Sequence, residues 1–377
     1  MSLITYLNRV HFADDILEEA LAVEARSLAI RRPLIVTDRG LAASGHLDRL
    51  LDAFDTQAAP AIFAETPANP TEAACRAAAA AYRNHDCDSL IGFGGGSSID
   101  LAKAVALAVS HDGPLISYAA VEGGVSRIQN ILPPIIAIPT TAGTGSEVGR
   151  GALIVFDDGR KLGLISPYLI PKVAICDPTL TLTLPPELTA ATGMDAITHC
   201  VETYIATAYN PPADGIALDG LRRAAANIER AVEEGRDLDS RREMMAAALN
   251  GALAFQKGLG GVHAMSHALG GLKQPNLHHG TLNAVLLPHV LAFNAPAAGH
   301  RYPALREAIG VPAGRDLAAA FSRISVGLGL PSRLGEMGLD RSALELAAAL
   351  AERDHTNGTN PRRATSRDYL AMLTDAL

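Results

Sequence analysis

Cysteine is scarce in this chain: its 377 residues include only four, Cys75, Cys87, Cys176 and Cys200, each alone and none in a Cys-x-x-Cys spacing. That excludes a disulfide framework and a thiolate zinc site, and it suits thiols kept reduced. Basic runs are missing too, and no aromatic residues interleave with lysine or arginine. With a formal net charge of -8 and a pI near 5.8, neither nucleic acid nor an anionic membrane surface is an expected partner, because both are bound through clustered cations. The stretch from Met1 to Phe12 mixes Asn8, Arg9 and His11 with apolar residues and lacks the apolar core of a signal peptide. No stretch of sequence reads as a transmembrane segment. The cytoplasm is the expected compartment and small molecules are the expected ligands.

What is present is a globular balance, 48% hydrophobic against 19% charged residues, in a chain long enough for two packed cores. In the first half, short β-like runs at 33–38, 61–65, 89–94 and 135–139 alternate with Ala-rich stretches at 71–82 and 99–110. Asn69-Pro70 and Ser97-Ser98 open those two stretches as helix starts. That alternation predicts βαβ units on a parallel sheet. Past Asp177-Pro178 the texture changes: 188–207, 214–233, 241–256 and 261–272 lack strand alternation and favour helix formers, with Pro185-Pro186 suited to a first helical turn. The segment 271–280 reads as a loop. The predicted organisation is an α/β domain over 1–184 followed by an all-α domain over 185–377.

Two glycine-rich turns follow predicted strands. Gly92-Phe93-Gly94-Gly95-Gly96-Ser97-Ser98-Ile99-Asp100 opens a helix, where backbone amides and the helix dipole can receive a pyrophosphate. Its glycine spacing differs from the usual dinucleotide fingerprint, and the P-loop lysine is absent. A tight strand-to-helix turn with no ligand would use the same glycines. Pro139-Thr140-Thr141-Ala142-Gly143-Thr144-Gly145-Ser146-Glu147 offers hydroxyls and flexible backbone after another strand, and ligands of open α/β sheets collect beyond such strand ends. Asp38 closes the strand starting at Pro33. Its carboxylate either accepts from a ribose diol, favouring NAD over NADP, or simply forms the turn before Arg39-Gly40.

Histidine placement is more specific. Asp195 and His199 stand four residues apart on one predicted helix, and His263 and His267 repeat the spacing on another, so each pair shares a helix face. His278-His279-Gly280 follows in the loop. One carboxylate and several imidazoles can thus converge on a divalent cation with an exchangeable position. Such a site polarises a carbonyl or alcohol oxygen, which suits hydride transfer.

With these motifs the chain resembles the iron-containing alcohol dehydrogenase family from about Pro33 to about Pro361. The likeness is carried by Gly94-Gly95-Gly96-Ser97 with Asp100, the run at 139–147, Ala191-Thr192-Gly193-Met194-Asp195-Ala196 with His199, and Gly260-Gly261-Val262-His263-Ala264-Met265-Ser266-His267. The resemblance implies an N-terminal dinucleotide-binding α/β domain and an all-helical C-terminal domain, a fold shared with dehydroquinate synthases. It implies NAD and a divalent metal, Fe2+ ahead of Zn2+. Asp195, His199, His263 and His279 resemble the family's metal ligands, with His278 the alternative at the last position. His267 resembles its active-site histidine. Asp38, Asn69, Gly95, Gly96, Ser97, Asp100, Thr140, Thr141, Thr144 and Leu180 resemble cofactor contacts, and Lys161 resembles a lysine near the ribose.

The loop from His267 to His279 is longer than in typical members. Lys257 and Arg150, with Arg160, Lys161 and Lys273 as further cations, suggest a substrate bearing a carboxylate. The implied reaction is 4-hydroxybutanoate with NAD giving succinate semialdehyde, catalysed by a homodimer or larger homo-oligomer. A general short-chain alcohol dehydrogenase and a hydroxyacid-oxoacid transhydrogenase are the alternatives.

Overall fold

A computed structural model describes residues 4, 6, 8–54, 60–272, 274–275 and 277–377. Two compact units emerge: Tyr6–Thr141 with Gly145–Leu182, and Thr183–Leu377 with which Ala142–Thr144 cluster.

The first unit runs β1 (Arg9–Phe12), α1 (Leu17–Ser27), β2 (Pro33–Val36), α2 (Arg39–Ala42), α3 (His46–Asp52), β3 (Ala61–Phe63), α4 (Glu72–Asn84), β4 (Ser89–Gly94), α5 (Gly96–Ser110), β5 (Ile135–Pro139), β6 (Gly151–Val155), β7 (Lys161–Ile165) and β8 (Val173–Cys176). Six strands form one sheet in the order β1-β8-β5-β4-β2-β3, every pairing parallel. β2, β4, β5 and β8 are buried along their whole length, which is why they read as continuous apolar runs rather than alternating ones. Their side chains still alternate between faces. Leu34, Val36 and Leu90 join Ala78, Ala102 and Val105 of α4 and α5, while Ile35, Ile91, Phe93, Ile136 and Ile138 join Leu17 and Leu21 of α1.

The sheet holds two strands that the sequence reading did not anticipate, β1 and β8, and beside it lies the separate β6–β7 antiparallel hairpin. β1 has only four residues, and two of them are polar. Arg9 and His11 both pair with the buried Glu24 of α1, His11 at 2.8 Å. The hairpin turns at Asp157-Asp158-Gly159, where Gly159 takes a positive φ of 85° that only glycine adopts readily.

The second unit comprises α6 (Pro186–Ile205), α7 (Pro211–Glu233), α8 (Leu238–Ala254), α9 (Gly261–Gly270), α10 (His279–Ala298), α11 (Tyr302–Ala308), α12 (Leu317–Gly327), α13 (Leu344–Arg353) and α14 (Ser366–Ala376). α7 and α8 begin earlier than their apolar patterns predict because of their caps. The Asn210 side chain accepts from the Ala213 amide and that of Asp237 from Ser240, each satisfying a first-turn donor. The expectation of no membrane-length apolar segment needs one amendment. The helical run 279–308 is long and apolar enough to pass that test by composition, but it contains α10, whose inner face is buried in this unit.

α6, α7 and α8 approach closely at glycine. A Cβ at Gly220 of α7 would lie 2.8 Å from Cys200 Sγ, 2.9 Å from Asn250 Cβ and 3.2 Å from the Ala247 carbonyl. Two of these three neighbours belong to α8 and one is its backbone, so the added methyl must push the helices apart. Gly220→Ala is expected to destabilise the protein by about 1–3 kcal/mol, seen as a lower urea midpoint; an unchanged midpoint would mean that the three helices yield freely.

Candidate active site

In the α/β unit Gly94 and Pro139 pair across β4 and β5, so both glycine-rich turns leave the sheet side by side. The Thr140 amide donates to the Gly94 carbonyl at 3.0 Å, and a Cβ on Gly95 would lie 3.4 Å from the Thr141 side chain. Gly94 has φ +145°, and a Cβ there would stand 2.8 Å from Ser98 Oγ. A side chain at Gly94 would thus be strained and crowded, and the turn delivers bare backbone to the start of the fifteen-residue α5, as an anion cradle requires.

Asp38 caps α2, its Oδ1 accepting from the Leu41 amide at 3.0 Å, while its Oδ2 lies 3.6 Å from where a Gly94 Cβ would be. The carboxylate therefore both shapes the turn and faces the cradle. Lys161 donates to Asn69 Oδ1 at 2.9 Å, bringing two expected cofactor residues together, and Ser97 Oγ donates to the Ala68 carbonyl beside Asn69.

Two expected contacts sit differently. Asp100 accepts from Ser146 Oγ and, at 2.9 Å, from the Leu153 amide; its oxygens tie down the second turn rather than point at a ligand. The Leu180 side chain is packed in the core with Phe93 and Ile138, which leaves only its backbone for a cofactor. Thr144 clusters with the helical unit. Below the second turn lies Lys103, which sequence reasoning missed. It is wholly buried and donates to Ser146 Oγ and the carbonyls of Gly149 and Gly151. Burial pushes its ammonium down to about 8.

In the helical unit Asp195 and His199 come from α6, His263 and His267 from α9, and His279 from the first turn of α10. Asp195, 2% exposed, places Oδ1 3.8 Å from Nε2 of His199, 3.8 Å from Nε2 of His263 and 3.7 Å from Nε2 of His279. These gaps are too long for hydrogen bonds. Donors held at about 2.1 Å by one cation stand roughly 3 to 3.5 Å apart. The donor atoms of Asp195, His263 and His279 all lie within 4.8 Å of one another, close enough to converge on a metal ion, and His199 faces the same carboxylate oxygen. One carboxylate and three imidazoles suit a divalent iron.

Burial pushes His199 down to about 4. For His263 burial also opposes the charge, but its hydrogen bond to Glu202 and the nearby Asp195 outweigh that and raise its pKa. His278 is exposed, its ring 3.3 Å from Thr281 Oγ1; the imidazole facing Asp195 is that of His279. Gly280 explains why. A Cβ there would stand 2.2 Å from the Ala191 carbonyl, so only glycine lets α10 start flush against α6.

His267 lies beside this cluster, stacked on His279 with centroids 5.7 Å apart and hydrogen-bonded through Nδ1 to Asp354 at 3.0 Å. Asp354 is held below the usual carboxylate range by His267 and His355, against the effect of its own burial. His355 also stacks on His267, with centroids 5.9 Å apart.

Sequence reasoning missed Glu202, Asn283, Asp354 and His355. Asn283 donates to Asp195 Oδ1 at 2.7 Å and stands four residues after His279, the same spacing that revealed the histidine pairs. Glu202 stands three residues after His199 on the inner face of α6. Nothing local marked Asp354, which reaches His267 from the end of α13.

The expectation that Lys257 meets a substrate carboxylate is corrected. Its buried ammonium donates to the Tyr204 carbonyl at 2.9 Å and pairs at 2.5 Å with Asp214, which Arg301 also binds. Arg160 is likewise paired, with Asp158 and Glu122. Arg150 is exposed, and Lys273 lies outside the described residues.

The chain matches the family model for iron-containing alcohol dehydrogenase over residues 8–178 and that for the C-terminal part of the Fe-containing alcohol dehydrogenase family over 189–377. It is 53% identical over 384 residues to a 4-hydroxybutyrate dehydrogenase of Cupriavidus necator, covering 100% of both chains. It is 36% identical over 359 residues to a 1,3-propanediol dehydrogenase of Klebsiella pneumoniae, covering 92% of this chain and 91% of that one. Among solved structures, a 1,3-propanediol oxidoreductase superposes with TM-score 0.92 at 35% identity over 100% of both chains. A sulfoacetaldehyde reductase of Bifidobacterium kashiwanohense in complex with NAD+ superposes with TM-score 0.88 at 26% identity, covering 100% of this chain and 98% of that one.

Fold and site together define a metal-dependent, NAD-linked oxidoreductase acting on alcohols. The chain belongs to the iron-containing alcohol dehydrogenase family.

Replacing Asp195 by Ala removes the atom that all three imidazoles face. Iron content per chain, measured on protein purified from iron-supplied cells, is expected to fall to background; retention of a full equivalent would show that the cluster is not the metal site.

Proposed function

We propose that this protein oxidises 4-hydroxybutanoate to succinate semialdehyde with NAD as hydride acceptor, or catalyses the reverse reduction. The observation that carries the chemistry is the Asp195 carboxylate facing three imidazoles. The substrate follows from the full-length likeness to a 4-hydroxybutyrate dehydrogenase. Asp195, His199, His263 and His279 would hold the metal, which when bound supplies Lewis acidity at the alcohol oxygen. Residues 1–184 would carry NAD, with Gly95, Gly96, Ser97, Thr140, Thr141 and Thr144 at the phosphates and Asp38, Asn69 and Lys161 toward the riboses. The remaining residues, 185–377, would hold metal and substrate.

NAD, when bound, would supply a hydride acceptor for the carbinol carbon, and His267, beside the metal cluster, is the protein group that would take up the hydroxyl proton. Asp354 holds Nδ1 of His267 and so fixes which ring nitrogen faces the reaction. With Lys257 committed to Asp214, Arg150 remains as the guanidinium that would grip the distal carboxylate. The four buried free cysteines suit a cytoplasmic enzyme, and the family resemblance supports a homo-oligomer.

The test is NADH formation by iron-reconstituted protein, with 4-hydroxybutanoate and butan-1-ol compared under matched conditions. Preference for the acid, abolished by a chelator, is the expected result. Equal turnover of butan-1-ol would leave a general alcohol dehydrogenase, the reading that the loss of Lys257 as a substrate cation favours. Absence of free NADH despite turnover with an added oxoacid would indicate a transhydrogenase. Arg150→Ala is expected to raise KM for the acid by roughly tenfold or more with KM for butan-1-ol unchanged; equal KM shifts for both would remove Arg150 from the substrate site.

A further inference from the structure

We infer that Glu202 is a positioning residue for the metal site: it fixes the tautomer and aim of His263 and so sets metal affinity without touching the metal. The inference rests on the reading of His263 as a ligand. Glu202 lies on α6, 1% exposed, two turns beyond Asp195. Its Oε2 stands 2.7 Å from His263 Nδ1 and accepts from the Gly260 amide at 3.0 Å; its Oε1 accepts from the Val262 amide at 2.7 Å. Both oxygens of Glu202 already serve as acceptors for backbone amides, so in the ring bond Oε2 accepts and the proton sits on Nδ1. Nε2, on the far side of the ring, is left with its lone pair toward Asp195 Oδ1, 3.8 Å away. A ligating imidazole whose other nitrogen donates to a carboxylate is also the more electron-rich donor.

The same carboxylate anchors the start of α9. Helices leave their first amides without partners, and α9 begins at Gly261 with no capping side chain at Gly260. Glu202 supplies the acceptor from a neighbouring helix instead, and Asn360 completes it by accepting from the Gly261 amide at 3.1 Å. The approach is so close that a Cβ on Gly260 would meet Asn360 Oδ1 at 2.6 Å and Glu202 Oε1 at 2.9 Å. One side chain therefore positions both the backbone that carries His263 and the ring itself. Rotating the ring toward another partner would break its own 2.7 Å bond to this anchored carboxylate.

The decisive measurement is Co2+ affinity of the full-length, metal-stripped protein, by visible absorption in competition with a chelator. The set comprises wild type, Glu202→Gln, His263→Ala and the double variant. Glu202→Gln is expected to weaken Co2+ binding about 10- to 100-fold, and in the His263→Ala background to add nothing, because its effect passes through that ring. An equal loss in both backgrounds would make Glu202 a part of the fold only and overturn the inference, as would wild-type affinity in Glu202→Gln. Wild-type affinity in His263→Ala would overturn the ligand reading itself. Should Glu202→Gln fail to fold, Zn2+-loaded wild type with 15N-labelled histidine serves. A proton on Nδ1 of His263 is expected, and a proton on Nε2 would refute the assignment.

Discussion

A carboxylate buried in the middle of a helical unit is the constraint around which this site is arranged. Removing an ionised carboxylate from water costs several kcal/mol unless partners surround it. Asp195 accepts from the Asn283 amide at 2.7 Å, and the same oxygen is faced at nearly equal distance by imidazoles from α6, α9 and α10, an arrangement that a bound cation would complete. Each helix must therefore arrive in one rotation and at one depth. Two close approaches serve that demand, Gly280 on Ala191 and Gly251 on His199. Glycine is conformationally costly inside helices, and this unit accepts it where backbones must draw near a polar centre.

The α/β unit solves a different problem with similar means. A parallel sheet ends in unpaired strand termini at one edge, and two adjacent strands, β4 and β5, finish level with glycine-rich turns. Bare amides then lie where a negatively charged group can be bound by backbone donors. The buried Lys103 braces the second turn from beneath through three oxygen acceptors, so its charge shapes backbone rather than meeting solvent.

Much of the α/β-then-helical fold was readable from the sequence, because its informative features are local. The buried strands announced themselves as apolar runs between turns, and the i, i+4 spacing of Asp195 with His199 and of His263 with His267 put each pair on one helix face. Choosing between His278 and His279 needed the docking of α10 on α6, which is not a local property. β1 escaped notice because its polar residues find their partner, Glu24, on a helix rather than in the strand pattern. Lys257 misled for the reciprocal reason. A lone lysine near a candidate site reads as an available charge until Asp214, 43 residues away in sequence, is seen to neutralise it. Asp354 and Glu202 were invisible as partners of histidines for the same cause: pair formation between distant residues leaves no periodic trace.

The parallel order of the large sheet also bears on how the chain is made. β1, at residues 9–12, pairs with β8, at 173–176, and lies at the sheet's edge. During synthesis the first strand to leave the ribosome must wait for the last. At about 5–20 residues per second that interval is roughly ten to thirty seconds. Throughout it the β1 segment has no sheet partner, although α1, carrying Glu24 for Arg9 and His11, emerges immediately behind it. The contacts with Glu24 that disguised this strand in the sequence thus tie it to α1, the element translated directly after it, before its sheet neighbour exists.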